Sequence, residues 1–224
     1  MKTIAIVGAG PGLGLSLAKK FGANQFAVAL ISRNASKLDA MVQELTELKI
    51  QARSYVADLN DPSQLKKALR SIKENFGSID VLEFSPFSPS QTFTSVLETT
   101  PESVMAQVNG YLLPAILSVN EALPQMQQNR DGAILFTTGI SSITPIPFLG
   151  NVGIVMSGTR NYATNLHTAL KDQGIYIGHL SIGVPIQTGT ESDPDLIADA
   201  WYELLQQKEF ESTFPKELKE LKAF

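Results

Sequence analysis

The 224-residue sequence predicts an α/β fold in three layers, a doubly wound parallel sheet with helices on both faces, and three observations predict it. Apolar runs of strand length alternate with longer stretches of helical periodicity along the chain, the pattern of repeated βαβ units. The runs at 3–7, 26–31 and 132–138 are apolar almost throughout, as strands covered on both faces are. Gly8-Ala9-Gly10-Pro11-Gly12-Leu13-Gly14 separates the first run from apolar Leu13, Leu17, Ala18 and Phe21 at helical spacing, so it reads as strand, glycine turn, helix. Right-handed crossovers then give the strand order 3-2-1-4-5-6, with a seventh short strand left open after Lys208.

The elements follow in order. The second strand, 26–31, ends in Ser32-Arg33-Asn34. Leu38, Met41, Val42, Leu45 and Leu48 recur at helical spacing, and residues 52–57 form a short third strand ending at Asp58. Asp61 as N-cap and Pro62 at the first helical position start a helix whose apolar face is Leu65, Leu69, Ile72 and Phe76, and Gly77 ends it. Residues 79–84 are the fourth strand. Residues 85–95 turn to Ser, Pro and Thr, a loop at a strand's carboxyl end, where such sheets bind ligands. Thr100-Pro101-Glu102 opens one long helix to about residue 128, kinked by Pro114, which removes a backbone donor. After the fifth strand and a loop over 139–150, Asn151 is the expected N-cap of a helix that carries small residues Gly153, Ser157 and Gly158 early and stops at Gly174. Residues 175–182 are the sixth strand and 183–192 a loop. Asp193-Pro194 then starts a last helix through Trp201 and Leu205.

With 43% hydrophobic residues, the chain can bury a sizeable core in one domain, 1–224. A net charge of -4, a pI near 5.3 and no Lys/Arg cluster disfavour nucleic acid as a partner. There is no cysteine, and the two histidines, His167 and His179, are far apart, so no metal site is expected. The N-terminal apolar run is too short for a signal-peptide core or a membrane span, which makes a soluble cytoplasmic protein with no membrane partner the expectation.

Glycines in a strand-to-helix turn let backbone N–H groups approach a diphosphate and leave it at a positive helix N-terminus. A nucleotide is the first ligand this predicts; a Gly-rich loop without a ligand is the alternative. At the end of the second strand such folds meet the adenosine ribose, where an acidic residue accepts from the 2′-hydroxyl of NAD and an Arg suits the 2′-phosphate of NADP. Arg33, with no Asp or Glu beside it, predicts NADP(H) over NAD(H), against the plainer reading of a surface Arg at a strand end.

These stretches, in this order, resemble the short-chain dehydrogenase/reductase family over nearly the whole chain up to the last helix. Gly8, Gly12 and Gly14 resemble its glycine turn, Ser32-Arg33-Asn34 its NADP-preferring segment, and Ala57-Asp58-Leu59 its adenine-binding stretch. Leu123-Pro124-Gln125-Met126 ends the fourth helix as the family does, and Ser181-Ile182-Gly183-Val184-Pro185 with Thr188 resembles the segment that lines the nicotinamide. The resemblance implies a Rossmann fold, an oxidoreductase acting on a small carbonyl or alcohol substrate, and a homodimer or homotetramer formed through the helices near 101–128 and 152–172. The glycine turn, Arg33 and the resemblance together place cofactor contacts at Gly8, Gly10, Pro11, Gly12, Leu13, Gly14, Ser32, Arg33, Asn34, Asp58, Leu59, Ser85, Pro86, Thr138, Gly183, Val184 and Thr188.

The family's catalytic residues do not carry over. It uses a Tyr as acid/base, a Lys four residues later that lowers the Tyr pKa, a Ser on the preceding loop and an Asn in the fourth helix. Those positions fall here on Val152, Met156, Gly139 and Tyr111, and the family's Asn-Asn-Ala-Gly is replaced by Phe84-Ser85-Pro86-Phe87. The substrate-covering segment is reduced to Gly189 to Ser192. Carbonyl reduction needs a group that protonates the developing alkoxide; Tyr111 is the candidate, with Thr138, Ser141 and Asn109 as hydrogen-bond donors to an oxyanion. Tyr111 reads more readily as a core aromatic, and His179, mid-strand, as a buried and satisfied histidine. Apolar Val152 and Met156 favour a competing reading, a non-catalytic NADP(H) sensor or partner protein. A ligand-free oligomeric scaffold is a third.

Overall fold

In the computed structural model, which describes residues 1–87 and 92–217, seven strands alternate with seven α-helices. The strands are β1 (Thr3–Val7), β2 (Ala27–Ser32), β3 (Ala52–Val56), β4 (Val81–Phe84), β5 (Gly132–Gly139), β6 (Ile175–Ile182) and β7 (Glu211–Phe214). The helices are α1 (Leu13–Ala23), α2 (Ala35–Glu47), α3 (Pro62–Phe76), α4 (Pro101–Gln107), α5 (Leu113–Asn129), α6 (Gly150–Leu170) and α7 (Pro194–Gln207). All strand pairs are parallel, in the order β3-β2-β1-β4-β5-β6-β7, so the expected Rossmann order holds and the seventh strand joins its edge. The middle of the loop over 85–95 and the end of the tail lie outside the described residues.

Side chains alternate across a strand, and each face of this sheet meets a different helix layer. Ile4, Ile6, Val28, Leu30 and Leu135 pack with α1, α2 and α7, where Phe21, Leu38 and Trp201 are buried. Ala5, Val7, Ile31, Leu82 and Phe136 pack with α3, α5 and α6, where Leu69, Val119 and Ala163 are buried. Asp61 caps α3 through the Ser63 and Gln64 N–H groups, and Gly77 ends it at φ +85°, as the sequence predicts. Among the described residues no helix is long and apolar enough to cross a membrane.

Two expectations are corrected. The single long helix over 101–128 is α4, a π-turn at Val108–Leu112, and α5. Pro114 explains the break: its ring excludes the carbonyl four residues earlier, and the widened π-turn accommodates the lost bond instead of a simple kink. Asn151 is not the N-cap of α6, which starts at Gly150 with Leu149, two residues before Asn151, as its cap. Gly150 N–H is drawn into the helix by the Thr94 carbonyl (2.8 Å), and Asn151, 0% exposed, ties the 92–94 stretch to the helix. Its Oδ1 accepts from the N–H groups of Thr94 (3.0 Å) and Val152 (2.8 Å), and its Nδ2 donates to the Thr92 carbonyl (3.0 Å). A buried amide finds more partners there than a cap position would offer.

At the end of β1 the chain turns at Gly8, whose φ is +92°, and Gly8 and Ala9 N–H both donate to the Ile31 carbonyl (3.0 and 2.9 Å). A Cβ on Gly8 would enter the van der Waals shell of the Pro86 backbone. Gly8→Ala should therefore destabilise the fold by roughly 2–5 kcal/mol in urea unfolding, from strained φ and overpacking together; a loss below about half a kcal/mol would contradict this packing.

Candidate functional site

The glycine turn divides its labour. A Cβ on Gly14 would lie 2.9 Å from Ala9 Cα, so this glycine lets α1 close onto the strand end, whereas Cβ atoms on Gly10 and Gly12 would meet nothing within 4 Å. The open side of Gly10-Pro11-Gly12 is thus a cradle against which a ligand can lie. Helices α2, α3 and α7 begin on capping side chains, Asn34, Asp61 and Asp193. Helix α1 begins at Leu13 on Gly12, with no side-chain cap and no acidic residue in its first turn, which keeps its positive end for an anion.

Beside the cradle, the Ser32 carbonyl accepts from Ala57 N–H (3.0 Å), bringing the ends of β2 and β3 together. Arg33 is exposed there. Asn34 Oδ1 accepts from Lys37 N–H (2.9 Å) and Ser36 Oγ (2.8 Å), so its side chain is committed to capping α2. Asp58 Oδ1 accepts from Asn60 N–H (2.9 Å), and Leu59 is half-buried against the core behind it.

The carboxyl halves of β4, β5 and β6 carry two buried polar networks, one on each face of the sheet. On the α1/α7 side, Glu83 is completely buried and accepts from Ser85 Oγ (2.8 Å) and Thr137 Oγ1 (2.8 Å), and Thr137 accepts from Trp201 Nε1 (2.8 Å). Burial pushes the Glu83 carboxyl up to about 8, against the hydrogen bonds from Thr137 and Ser85 that pull it down. Ser85, a predicted cofactor contact next to Pro86, is thereby anchored from below. On the α6 side, Thr138 Oγ1 lies 2.9 Å from Ser142 Oγ, 3.1 Å from Ser181 Oγ and 2.9 Å from His179 Nε2, and the two serine hydroxyls are 2.7 Å apart. His179 Nδ1 meets Glu211 Oε1 at 2.8 Å, and Arg160 forks onto Glu211 at 2.6 and 2.7 Å.

The structure brings some predicted residues together and separates others. Gly183 N–H donates to the Phe214 carbonyl (2.8 Å), Val184 is half-buried beside it, and Thr188 is exposed on a short loop closed by Gln187 N–H to the Ser192 carbonyl (3.1 Å). Thr138 is buried with its hydroxyl committed inside the sheet, which leaves it a structural part rather than a donor to a ligand. Asn109 is exposed on the π-turn, and Tyr111, 4% exposed, packs with Val152, Val155 and Met156 in one buried cluster. The positions that correspond to the family's Tyr and Lys are therefore apolar and filled. Ser141 stands differently: a Cβ on Gly139 would lie 3.8 Å from its Oγ, one on Gly153 of α6 would lie 3.7 Å from its Cβ, and Ser157 Oγ donates to its carbonyl (3.4 Å). A hydroxyl is thus present within one side chain of the place where Gly139 lacks one.

Sequence reasoning missed Glu83, Thr137 with Trp201, and the pairing of His179 with Glu211. A lone Glu inside the apolar run 81–84 was a legible sign of a buried carboxyl; the distant Glu211 gave none.

A parallel, doubly wound sheet with an open glycine cradle at the uncapped start of its first helix defines a dinucleotide-binding protein of the Rossmann type. The chain belongs to the short-chain dehydrogenase family, a group of nicotinamide-dependent oxidoreductases: the family's sequence profile, described as short chain dehydrogenase, matches residues 2–193. It is similar to an oxidoreductase, asL5, of Sarocladium schorii, 28% identical over 92% of this chain and 80% of that protein. It is 26% identical to a very-long-chain 3-oxoacyl-CoA reductase of Neurospora crassa over 82% of this chain, spanning 55% of that longer protein. Among solved structures, a short-chain dehydrogenase from Rhodopseudomonas palustris superposes with a TM-score of 0.82 at 25% identity, covering 95% of this chain and 97% of that one. An alcohol dehydrogenase from Thermococcus sibiricus, complexed with 5-hydroxy-NADP, has the same fold at a TM-score of 0.84 and 21% identity, covering 98% and 99%.

The Glu83 carboxyl carries a pH signature. The folded chain holds a proton that the unfolded chain loses above about 4.5, so this group's stabilising effect falls as pH rises toward about 8. His179 acts in the opposite sense below its ordinary 6.5, since burial lowers its pKa. From pH 6.5 to 8, where Glu83 alone of the two titrates, stability should fall by up to ~1.4 kcal/mol per unit. Glu83→Gln should flatten that slope in urea unfolding series; an unchanged slope would contradict a protonated Glu83.

Proposed function

We propose that this chain is an NADP(H)-binding oxidoreductase of the short-chain type with a diverged active site, acting on a small carbonyl or alcohol. The observation that carries this reading is the open Gly10-Pro11-Gly12 cradle at the uncapped α1, with Arg33 and no carboxylate at the end of β2. Backbone N–H groups of 10–14 would hold the pyrophosphate, Ser32 and Arg33 the ribose phosphate, Asp58 and Leu59 the adenine, and Ser85, Pro86, Gly183, Val184 and Thr188 the nicotinamide end. The reduced dinucleotide, when bound, supplies a hydride. Ser141 stands in for the missing serine, donating to the carbonyl oxygen, while Val152, Met156 and Tyr111 keep that side of the site apolar. Half-exposed Met105, Leu113 and Ile154 on α4, α5 and α6 support a homodimer or homotetramer as part of the proposal.

The second reading is a non-catalytic NADP(H)-binding sensor or partner protein. The buried cluster of Tyr111, Val152, Val155 and Met156 favours it, because a phenol and an ammonium would have to displace packed apolar groups there. Calorimetric titration with NADPH and NADH, followed by a carbonyl panel, separates the readings. NADPH should bind at least tenfold more tightly than NADH, and Arg33→Ala should remove most of that preference. Turnover that drops about a hundredfold in Ser141→Ala supports the enzyme with Ser141 as donor. Binding without turnover supports the second reading, and no binding of either dinucleotide defeats both.

A further inference from the structure

The hydroxyl cluster under the β5 and β6 ends is joined through His179 to a charged pair at the sheet edge. The Arg160 fork holds the Glu211 carboxyl below its usual range, so Glu211 is a carboxylate and can only accept. His179 Nδ1 must therefore donate to Glu211 Oε1. Burial keeps the imidazole neutral, which leaves a lone pair on Nε2, and the proton between Nε2 and Thr138 Oγ1 belongs to Thr138. With its single proton directed at His179, Thr138 can only accept, so Ser181 donates to it (3.1 Å) and Ser142 donates to Ser181 (2.7 Å), while the 2.9 Å contact between Thr138 and Ser142, whose geometry admits only Thr138 as donor, carries no proton. Every hydrogen bond in the cluster then points toward the histidine.

A proton added to His179 reverses this. Nε2 becomes a donor, Thr138 must accept there, and its own proton turns toward Ser142, 2.9 Å away. These three hydroxyls sit where two chain segments leave the sheet: Thr138 precedes Gly139, Ser142 closes the turn that presents Ser141, and Ser181 lies two residues before Gly183. The charged groups that face the ring are Glu211 from β7 and Arg160 from α6; β5 presents Thr138, and β6 carries Ser181.

We infer that His179 is a positioning residue for the dinucleotide site: oriented by the Arg160–Glu211 pair, it sets the direction of the Thr138, Ser142 and Ser181 hydrogen bonds and through them fixes residues 139–142 and 182–185. The consequence for the cofactor rests on the proposed NADP(H) site; the consequence for the two segments does not. Protonation of His179 loosens both segments and weakens binding.

The test is a pH titration of the full-length, 15N-labelled chain by NMR, with NADPH affinity measured by fluorescence at the same pH values. Only two imidazoles are present, and His167→Gln assigns them. At neutral pH His179 should be the Nδ1–H tautomer. On acidification the Gly139 and Gly183 amides should shift with the His179 midpoint, and NADPH affinity should drop about tenfold across it. His179→Gln should make both responses flat, and Glu211→Gln, which keeps the ring but removes the carboxylate, should move the common midpoint to lower pH. Amides that stay still while His179 titrates, or that shift equally in His179→Gln, overturn the positioning role. Affinity that stays flat while the amides move overturns its link to the cofactor. If NADPH binds at no pH, the proposed function fails, and the amide shifts still decide the role of His179.

Discussion

The close approach of Gly8 to Pro86 is the constraint on which the carboxyl edge of the sheet depends. Only a backbone at positive φ without a Cβ lets β1 turn there, and only then can the loop after β4 lie against it. That contact sets α1 over the strand ends with its uncapped N-terminus facing outward. Gly14, pressed on Ala9, closes the helix onto the turn, and the space left over Gly10 and Gly12 is the cradle. A phosphate-sized anion needs such backbone access more than it needs any particular side chain.

Downstream of the cradle the sheet changes character. Its first half is a sandwich of aliphatic side chains, while the last third of β4, β5 and β6 is polar yet almost wholly buried. The consecutive Thr137 and Thr138 point to opposite faces, one toward Glu83 and Trp201 and the other toward His179. Buried polar atoms are costly unless paired, and here nearly all are: among the described residues, Thr3 Oγ1 and Gln107 Oε1 are the buried side-chain atoms without a partner. The strand ends are therefore supported from below by groups that specify geometry, while the positions corresponding to the family's Tyr and Lys lie in the buried cluster of Tyr111, Val152 and Met156.

Most of the fold was legible because it rests on local signals: alternating apolar runs, Asp61-Pro62 and Asp193-Pro194 at helix starts, and Gly77 and Gly174 at helix ends. Asn151 failed because a residue suited to capping is equally suited to a buried bridge, and only the packed 92–94 stretch decides between them. Pro114 announced a break, but the form of the break as a π-turn depends on how α4 and α5 pack. The cradle, Arg33 and the loss of the Tyr and Lys were readable by position. The pairings of Glu83, His179 and Glu211 were not, since Thr137, Thr138 and Arg160 reach them from 41 to 54 residues away, and His179 and Glu211 are 32 apart, which no spacing rule connects.

If this edge of the sheet holds a dinucleotide without the family's proton-transfer pair, the contacts are largely backbone ones, and amide hydrogen exchange with and without saturating NADPH reads them. Exchange should slow at residues 8–14, 32–34 and 183–185 together, with the N-terminal edge of the sheet near Lys2 and Asp131 unchanged. Exchange unaltered at all three segments would contradict such binding.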